Sequence, residues 1–249
     1  MNNQEKSIKK FLASFQDVGG RFHVLENRVP VEIQIEYFDY SSKLRKRKTK
    51  LKENDYDHYK EMLEDVDFSH EEKKKLLSTL ALSAEVRAYR LLEYYMKQPD
   101  DELVNWASMA LMECRVAIES ELSDEKKIYI SSGLGGKMGK VRFYALVSAQ
   151  NRMPFEDYQR EVIEKEFNYY FSKNDCDIER LTIKDNYLEL VFLIPFTSNL
   201  RKIIVTAVSE CNIYGNFLSQ FYSVTNVKVF SQDEVDQTLA KLMKDIKQN

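Results

Sequence analysis

Tyr187-Leu188-Glu189-Leu190-Val191-Phe192-Leu193-Ile194, closed by Pro195, is the stretch that decides how this 249-residue chain is read. Both of its alternating sets of side chains are almost wholly apolar. A strand with one wet face alternates apolar and polar residues, so this one is expected to be covered on both faces. Just upstream, residues 178–184 read as a partner strand, and Asp185-Asn186 as the tight turn between the two. Further out, residues 141–147 form a strand pattern, 155–171 a helix introduced by Pro154, 198–217 a second helix and 224–230 a fourth strand. A last helix opens at Ser231, where Glu234 completes a capping box and Phe230 staples onto Val235.

This β-α-β-β-α-β order resembles the split arrangement of ferredoxin-like domains. The resemblance implies two helices on one face of an antiparallel sheet. The other face then needs a cover, expected from the N-terminal layer or from another molecule. RNA-recognition domains share the topology but carry a Lys/Arg-Gly-Phe/Tyr-Gly/Ala-Phe-Val-type strand. Residues 187–194 have no such glycines and contain Glu189, and no motif of ACT-type ligand modules is found either.

Toward the N-terminus the pattern turns helical. Ile8, Phe11, Leu12 and Phe15 make one stripe over residues 4–16, ended by Gly19-Gly20. Residues 22–25 and 29–38 are predicted to form a β-hairpin through Glu26-Asn27-Arg28, because Val31, Ile33, Ile35 and Tyr37 alternate with Glu32, Gln34 and Glu36. Ser69 and Glu72 make a capping box for a helix from about residue 70. Leu82, Val86, Tyr89, Leu92 and Met96 mark the next, broken by Pro99. Asp100 caps a third, striped by Leu103, Ala107, Leu111, Cys114, Ile118 and Leu122. Glu85-Val86-Arg87, followed by Asp100-Asp101-Glu102-Leu103-Val104-Asn105-Trp106-Ala107, resembles the helix pairs of HEAT-type repeats over residues 82–122. The fold class expected is therefore α+β: an N-terminal hairpin, a HEAT-like helical layer and a ferredoxin-like domain with an extra C-terminal helix.

Four of the seven glycines lie between Gly133 and Gly139. The domains expected are residues 1–130, a glycine-rich connector over 131–140 and a ferredoxin-like domain over 141–249. Gly133, Gly135, Gly136, Lys137, Gly139 and Lys140 are the candidates for a ligand loop, since flexible N–H groups beside lysines suit an anion. The phosphate-loop pattern fails, because Val141 follows Lys140 where Ser or Thr should stand before a helix. The dinucleotide spacing fails too.

Net charge is −3 and the isoelectric point about 5.8, so the chain is not basic as a whole. Residues 1–130 hold 22 Lys/Arg against 25 Asp/Glu, and residues 131–249 hold 15 of each. Any phosphate-binding surface must then be local. Lys43, Arg45, Lys46, Arg47, Lys48, Lys50 and Lys52, seven basic residues in ten, are the candidates for nucleic-acid contact. Nine acids and one lysine over residues 53–72 could pair with that block instead.

Asp65-Val66-Asp67-Phe68-Ser69 lacks the Gly and Glu of a calcium loop, with His70 and Leu76 at those places. His23, His58 and His70 lack zinc spacing. Cys114, Cys176 and Cys211 are odd in number and far apart, which fits a reduced cytoplasmic setting. Catalytic residues, metal ligands and cofactors are not indicated, nor is a membrane span or an apolar leader. The function expected is a non-catalytic interaction or adaptor protein with a protein partner or a second copy. The alternatives are an RNA- or ribosome-associated factor using residues 43–52, and a ligand-sensing or enzymatic module using residues 133–139.

Overall fold

The computed structural model describes residues 22–47, 51, 55–123, 128–151 and 153–248. They divide into two units, one ending at Gly133 and one beginning at Leu134. The class is α+β, with eight α-helices and an antiparallel sheet of five strands among these residues. The stripe expected at residues 4–16 lies outside them.

The first unit holds β1 (Phe22–Val24), α1 (Val31–Lys46), α2 (Tyr56–Glu64), α3 (His70–Leu82), α4 (Val86–Tyr95), α5 (Val104–Ser123) and β2 (Ile128–Ile130). The predicted hairpin is not formed. β1 pairs in parallel with β2, 106 positions along at Phe22↔Ile128, and residues 31–46 are helical. The period of two over residues 31–37 loses to a longer series: Gln34, Tyr37, Ser41 and Leu44 are buried at spacings of three, four and three, one face of a helix. Pro30 stands at the N-cap, where its missing N–H costs nothing.

The HEAT-like reading is likewise corrected. The helices share one core around Trp106 rather than stacking as repeated pairs. The indole meets Tyr37 and Tyr40 edge-on, with centroids 5.1 and 5.3 Å away, and its Nε1 donates to Ser78 Oγ at 3.0 Å. Ala84, at φ 55°, breaks the chain between α3 and α4. Val86, expected inside, is 60% exposed. The Ser69–Glu72 capping box opens α3, with both reciprocal bonds made.

In the second unit β3 (Gly136–Lys137), β4 (Lys140–Ala149), α6 (Asp157–Lys173), β5 (Asp177–Ile183), β6 (Tyr187–Pro195), α7 (Leu200–Ile213), β7 (Leu218–Thr225) and α8 (Gln232–Gln248) follow in order. The sheet runs β5-β6-β4-β7, all antiparallel, with β3 on the β7 side of β4. Phe143 and Phe192 stack at 6.0 Å, and Phe171 of α6 meets Phe192 edge-on at 5.0 Å, so this face is the one under the helices. Val141, Ala145, Val147, Leu188, Leu190 and Ile194 share it and are all buried.

On the opposite face Tyr144, Leu146 and Val191 form a second small core with Leu134, and Val235 and Leu239 of α8 close over it. The cover that the sequence reading sought elsewhere is thus the chain's own last helix. Ser231 and Glu234 fix where that helix starts: the Ser231 N–H donates to Glu234 at 3.0 Å.

Candidate nucleic-acid interface

The basic block begins on α1. With Gln34, Tyr37, Ser41 and Leu44 turned to the core, Lys43, Arg45, Lys46 and Arg47 are left exposed at the helix's C-terminal end. Cations there complement the negative end of the helix dipole, so the charges are compatible with the helix they end. Lys48, Lys50 and Lys52 lie outside the described residues.

One of these cations has a structural task. Glu113 of α5, with its side chain 12% exposed, accepts from Tyr37 Oη at 2.7 Å, from Ser41 Oγ at 2.8 Å and from Arg45 Nη2 at 2.9 Å. Residues 37, 41 and 45 are successive positions of one helix face, so a single carboxylate clamps α1 to α5. Burial, with Glu113 beside it, holds the Tyr37 hydroxyl protonated far above its ordinary range. The sequence stripe passed over Glu113 because it interrupts an apolar run.

Lys43, Lys46 and Arg47 make no ion pair with a described residue. Four of the acids beyond them are engaged elsewhere: Glu61 with His58 at 3.8 Å, Glu64 with Lys60 at 3.9 Å, Glu71 with Lys74 at 3.3 Å, and Glu72 in the cap of α3.

Beside the block runs a cleft of about 520 Å³ between α1 and α5, floored by Ala81, Leu82 and Ala84. Phe38 and Arg45 form its α1 wall, and Met112, Glu113, Val116, Ala117 and Glu121 its α5 wall, with Ser131 at its edge. The reading of residues 29–38 as a strand hid this cleft. On a helix, Phe38 and Arg45 are two turns apart on one side; on a strand they would face opposite ways.

The glycine stretch is built differently from what was expected. Gly136 and Lys137 form β3, paired to Val141 and Lys140, and Met138-Gly139 is the turn between them. Both turn residues have positive φ, 50° and 76°, which is the two-residue turn whose twist suits a hairpin. A Cβ on Gly139 would meet nothing within 4 Å, so glycine serves the backbone angle there and not the space. From Gly136 onward the stretch is thus part of the sheet rather than a connector. Gly135 and Gly136 are buried, and Gly133 is half-buried. Lys140 donates to Asp175 at 2.9 Å and to Asp177 at 2.8 Å, which raises its pKa and commits its charge to those carboxylates. Lys137 alone of the two lysines extends into solvent.

Other chemistry is quiet. Burial pushes the Cys114 and Cys211 thiols up to about 12 and the Cys176 thiol to about 11, so all three are neutral at physiological pH. Among the described residues no group of three His, Cys, Asp or Glu could hold a metal ion, and no helix is long and apolar enough to cross a membrane.

No family model matches the chain, and no curated protein does. Among solved structures it is similar to a protein described as a transposase from Deinococcus radiodurans R1, at 10% identity and a TM-score of 0.36, covering 44% of this chain and 93% of that one. It is also similar to a REP-associated tyrosine transposase bound to a REP hairpin, at 8% identity and a TM-score of 0.32, covering 45% of this chain and 69% of that one. The expectation of a non-catalytic adaptor, with its emphasis on HEAT-like protein–protein contact, is corrected on its own ground: the sheet face taken to need a partner is closed by α8, and the helices read as a repeat layer share one core.

Proposed function

We propose that this chain binds DNA, with the phosphate contact carried by the basic end of α1 and the residues that follow it. The observation that supports this reading is the exposure of Lys43, Lys46 and Arg47 without an ion pair to any described residue, although nine acids follow within twenty residues. A like-charged cluster is self-repelling, and a polyanion that neutralises it releases counterions from the nucleic acid, which drives binding. The isoelectric point of about 5.8 argues against a phosphate-binding surface spread over the whole chain.

The test is fluorescence anisotropy with a labelled 30-mer DNA over a salt series, comparing the wild-type chain with one in which Lys43, Lys46, Arg47 and Lys48 are all serine. Arg45 is left in place because it belongs to the Glu113 clamp. The four-fold variant should bind more weakly at low salt. The slope of log K against log salt should fall by roughly three to four, close to one per lost phosphate contact. Equal affinity and equal slope for the two chains would overturn the reading. An RNA of the same sequence serves as the comparison, and binding of RNA with none of DNA would also overturn it.

A further inference from the structure

Helix α6 carries an apolar seam that its own fold leaves facing water. Ile163, Phe167 and Phe171 are buried on the side toward the sheet, while Tyr158, Val162 and Tyr169 lie on the opposite side of the helix. Tyr158 is 47% exposed, Tyr169 is 57% exposed and Val162 is half-buried. One exposed aromatic is ordinary, but apolar residues repeated at helical spacing make a continuous patch. Ile213 and Tyr214, both exposed at the end of α7, extend it, since the Tyr158 hydroxyl lies beside Gly215 just after them. Lys173 closes the seam at its other end, its ammonium 5.5 Å from the Tyr169 ring centroid. Along one flank Glu161 and Lys165 form an ion pair at 3.5 Å with side chains 71% and 76% exposed.

The order of charge on that flank says what fits the seam. A wholly basic or wholly acidic partner would set like charges against either Lys165 or Glu161. The same flank turned end for end is its own complement: Glu161 of one copy meets Lys165 of the second copy, and Lys165 meets Glu161 in return. The register that makes these two pairs also sets Tyr158 against Tyr169 of the second copy and Val162 against its own equivalent. We infer that the chain forms a two-fold dimer through α6, the two helices antiparallel and crossing between Val162 and Glu164. Each contact then occurs twice, as an isologous interface requires. Tyrosine suits such a seam, offering a large apolar face with a polar tip. The helix has 17 residues, about 25 Å, so the area falls short of the roughly 800 Å² per partner of a standard interface. The dimer is accordingly one that dissociates on dilution. It stands independently of the reading of the chain as a DNA-binding protein.

The experiment is sedimentation equilibrium of the whole chain, without DNA, over a wide range of concentration. The wild-type chain should pass from monomer to dimer as concentration rises. Lys165→Glu gathers four carboxylates on the shared flank, and Glu161→Lys gathers four ammonium groups. Each should weaken association roughly tenfold or more, because like charges set against each other across an interface are costly. The double variant Glu161→Lys, Lys165→Glu restores the alternation and should recover the wild-type dimer. Tyr169→Ala leaves the charges in place and should also weaken it. All three side chains are exposed, so urea midpoints should stay close to the wild-type value and separate lost association from lost folding. A wild-type chain that remains monomeric throughout would overturn the inference. So would a dimer that survives both single charge reversals, or one that the double variant does not restore.

Discussion

In the helical unit polar side chains run through the seams of the core: Glu113 gathers three donors between α1 and α5, and Lys73, 3% exposed, reaches Asp100 at 2.9 Å while the Tyr95 hydroxyl reaches the same carboxylate at 2.7 Å. In the sheet unit, the face of β4 and β6 under α6 and α7 carries apolar side chains alone, and polar pairs such as Tyr144–Glu189 are confined to the other face. An apolar sheet face needs only volume and burial to pack. A helix seam with buried donors and acceptors needs each group placed, because an orphaned one costs about 1–3 kcal/mol. The seams of the first unit are therefore sensitive to the state of their polar groups, and the apolar sheet face of the second to volume.

The largest expected effect is on volume. Phe192→Ala should destabilise the chain by about 3–5 kcal/mol in urea unfolding, since its ring touches both Phe143 and Phe171 and is fully buried. A loss under about 1 kcal/mol would break the contrast drawn between the two units.

Next comes the charged pair on the second sheet face. Arg142, 9% exposed at its side chain, forks onto both oxygens of Glu179 and donates to the Leu134 carbonyl at 2.7 Å. Arg142→Met strands that carbonyl and the carboxylate. Glu179 keeps some water, its side chain being 28% exposed, so about 2–3 kcal/mol is expected rather than the larger cost of a fully buried orphan. The Arg142→Met, Glu179→Met double variant should recover part of it.

The pH contrast is smaller. The Lys73 ammonium beside Asp100 holds its carboxyl below the ordinary carboxylate range. A carboxyl lowered in the folded state adds stability above its unfolded pKa of about 3.9, and that stability is lost as pH falls through the lower folded value. Urea midpoints taken from pH 6 down to pH 3 should therefore fall more for the wild type than for Asp100→Asn, which at pH 7 should already be weaker by about 1–2 kcal/mol. Parallel curves would show that this pair is not what makes the helical unit acid-sensitive. Smallest is the cap: Ser69→Ala should cost about 1 kcal/mol, read by the same melts.

The same contrast explains what could be read from the residues alone. Strands 141–147 and 187–194 were legible as short apolar runs covered on both faces, bounded by glycine, proline or turn residues, and Asp185-Asn186 marks the turn between 178–184 and 187–194. The cover supplied by α8 was not legible, although its capping box was: nothing in Val235 or Leu239 says which surface they will meet. Residues 31–38 misled because Val31, Ile33, Ile35 and Tyr37 satisfy a period of two by chance over four positions. The decisive helical series runs on to Ser41 and Leu44 and includes the polar Gln34, which a search for apolar periodicity discards. The basic block was plain in sequence, but that Lys43, Lys46 and Arg47 pair with no described acid is a property of the folded chain; the acids after them make pairs local to their own helices, such as Glu71 with Lys74. Phe38 and the cleft it lines became visible only once its segment was known to be a helix.

The most direct measurement is hydrogen–deuterium exchange of the whole chain with and without the 30-mer DNA at saturating concentration. Slowed exchange centred on residues 43–52, with the strands of the sheet unchanged, is the expected result. Slowed exchange confined to residues 140–225, with α1 unaffected, would contradict the account.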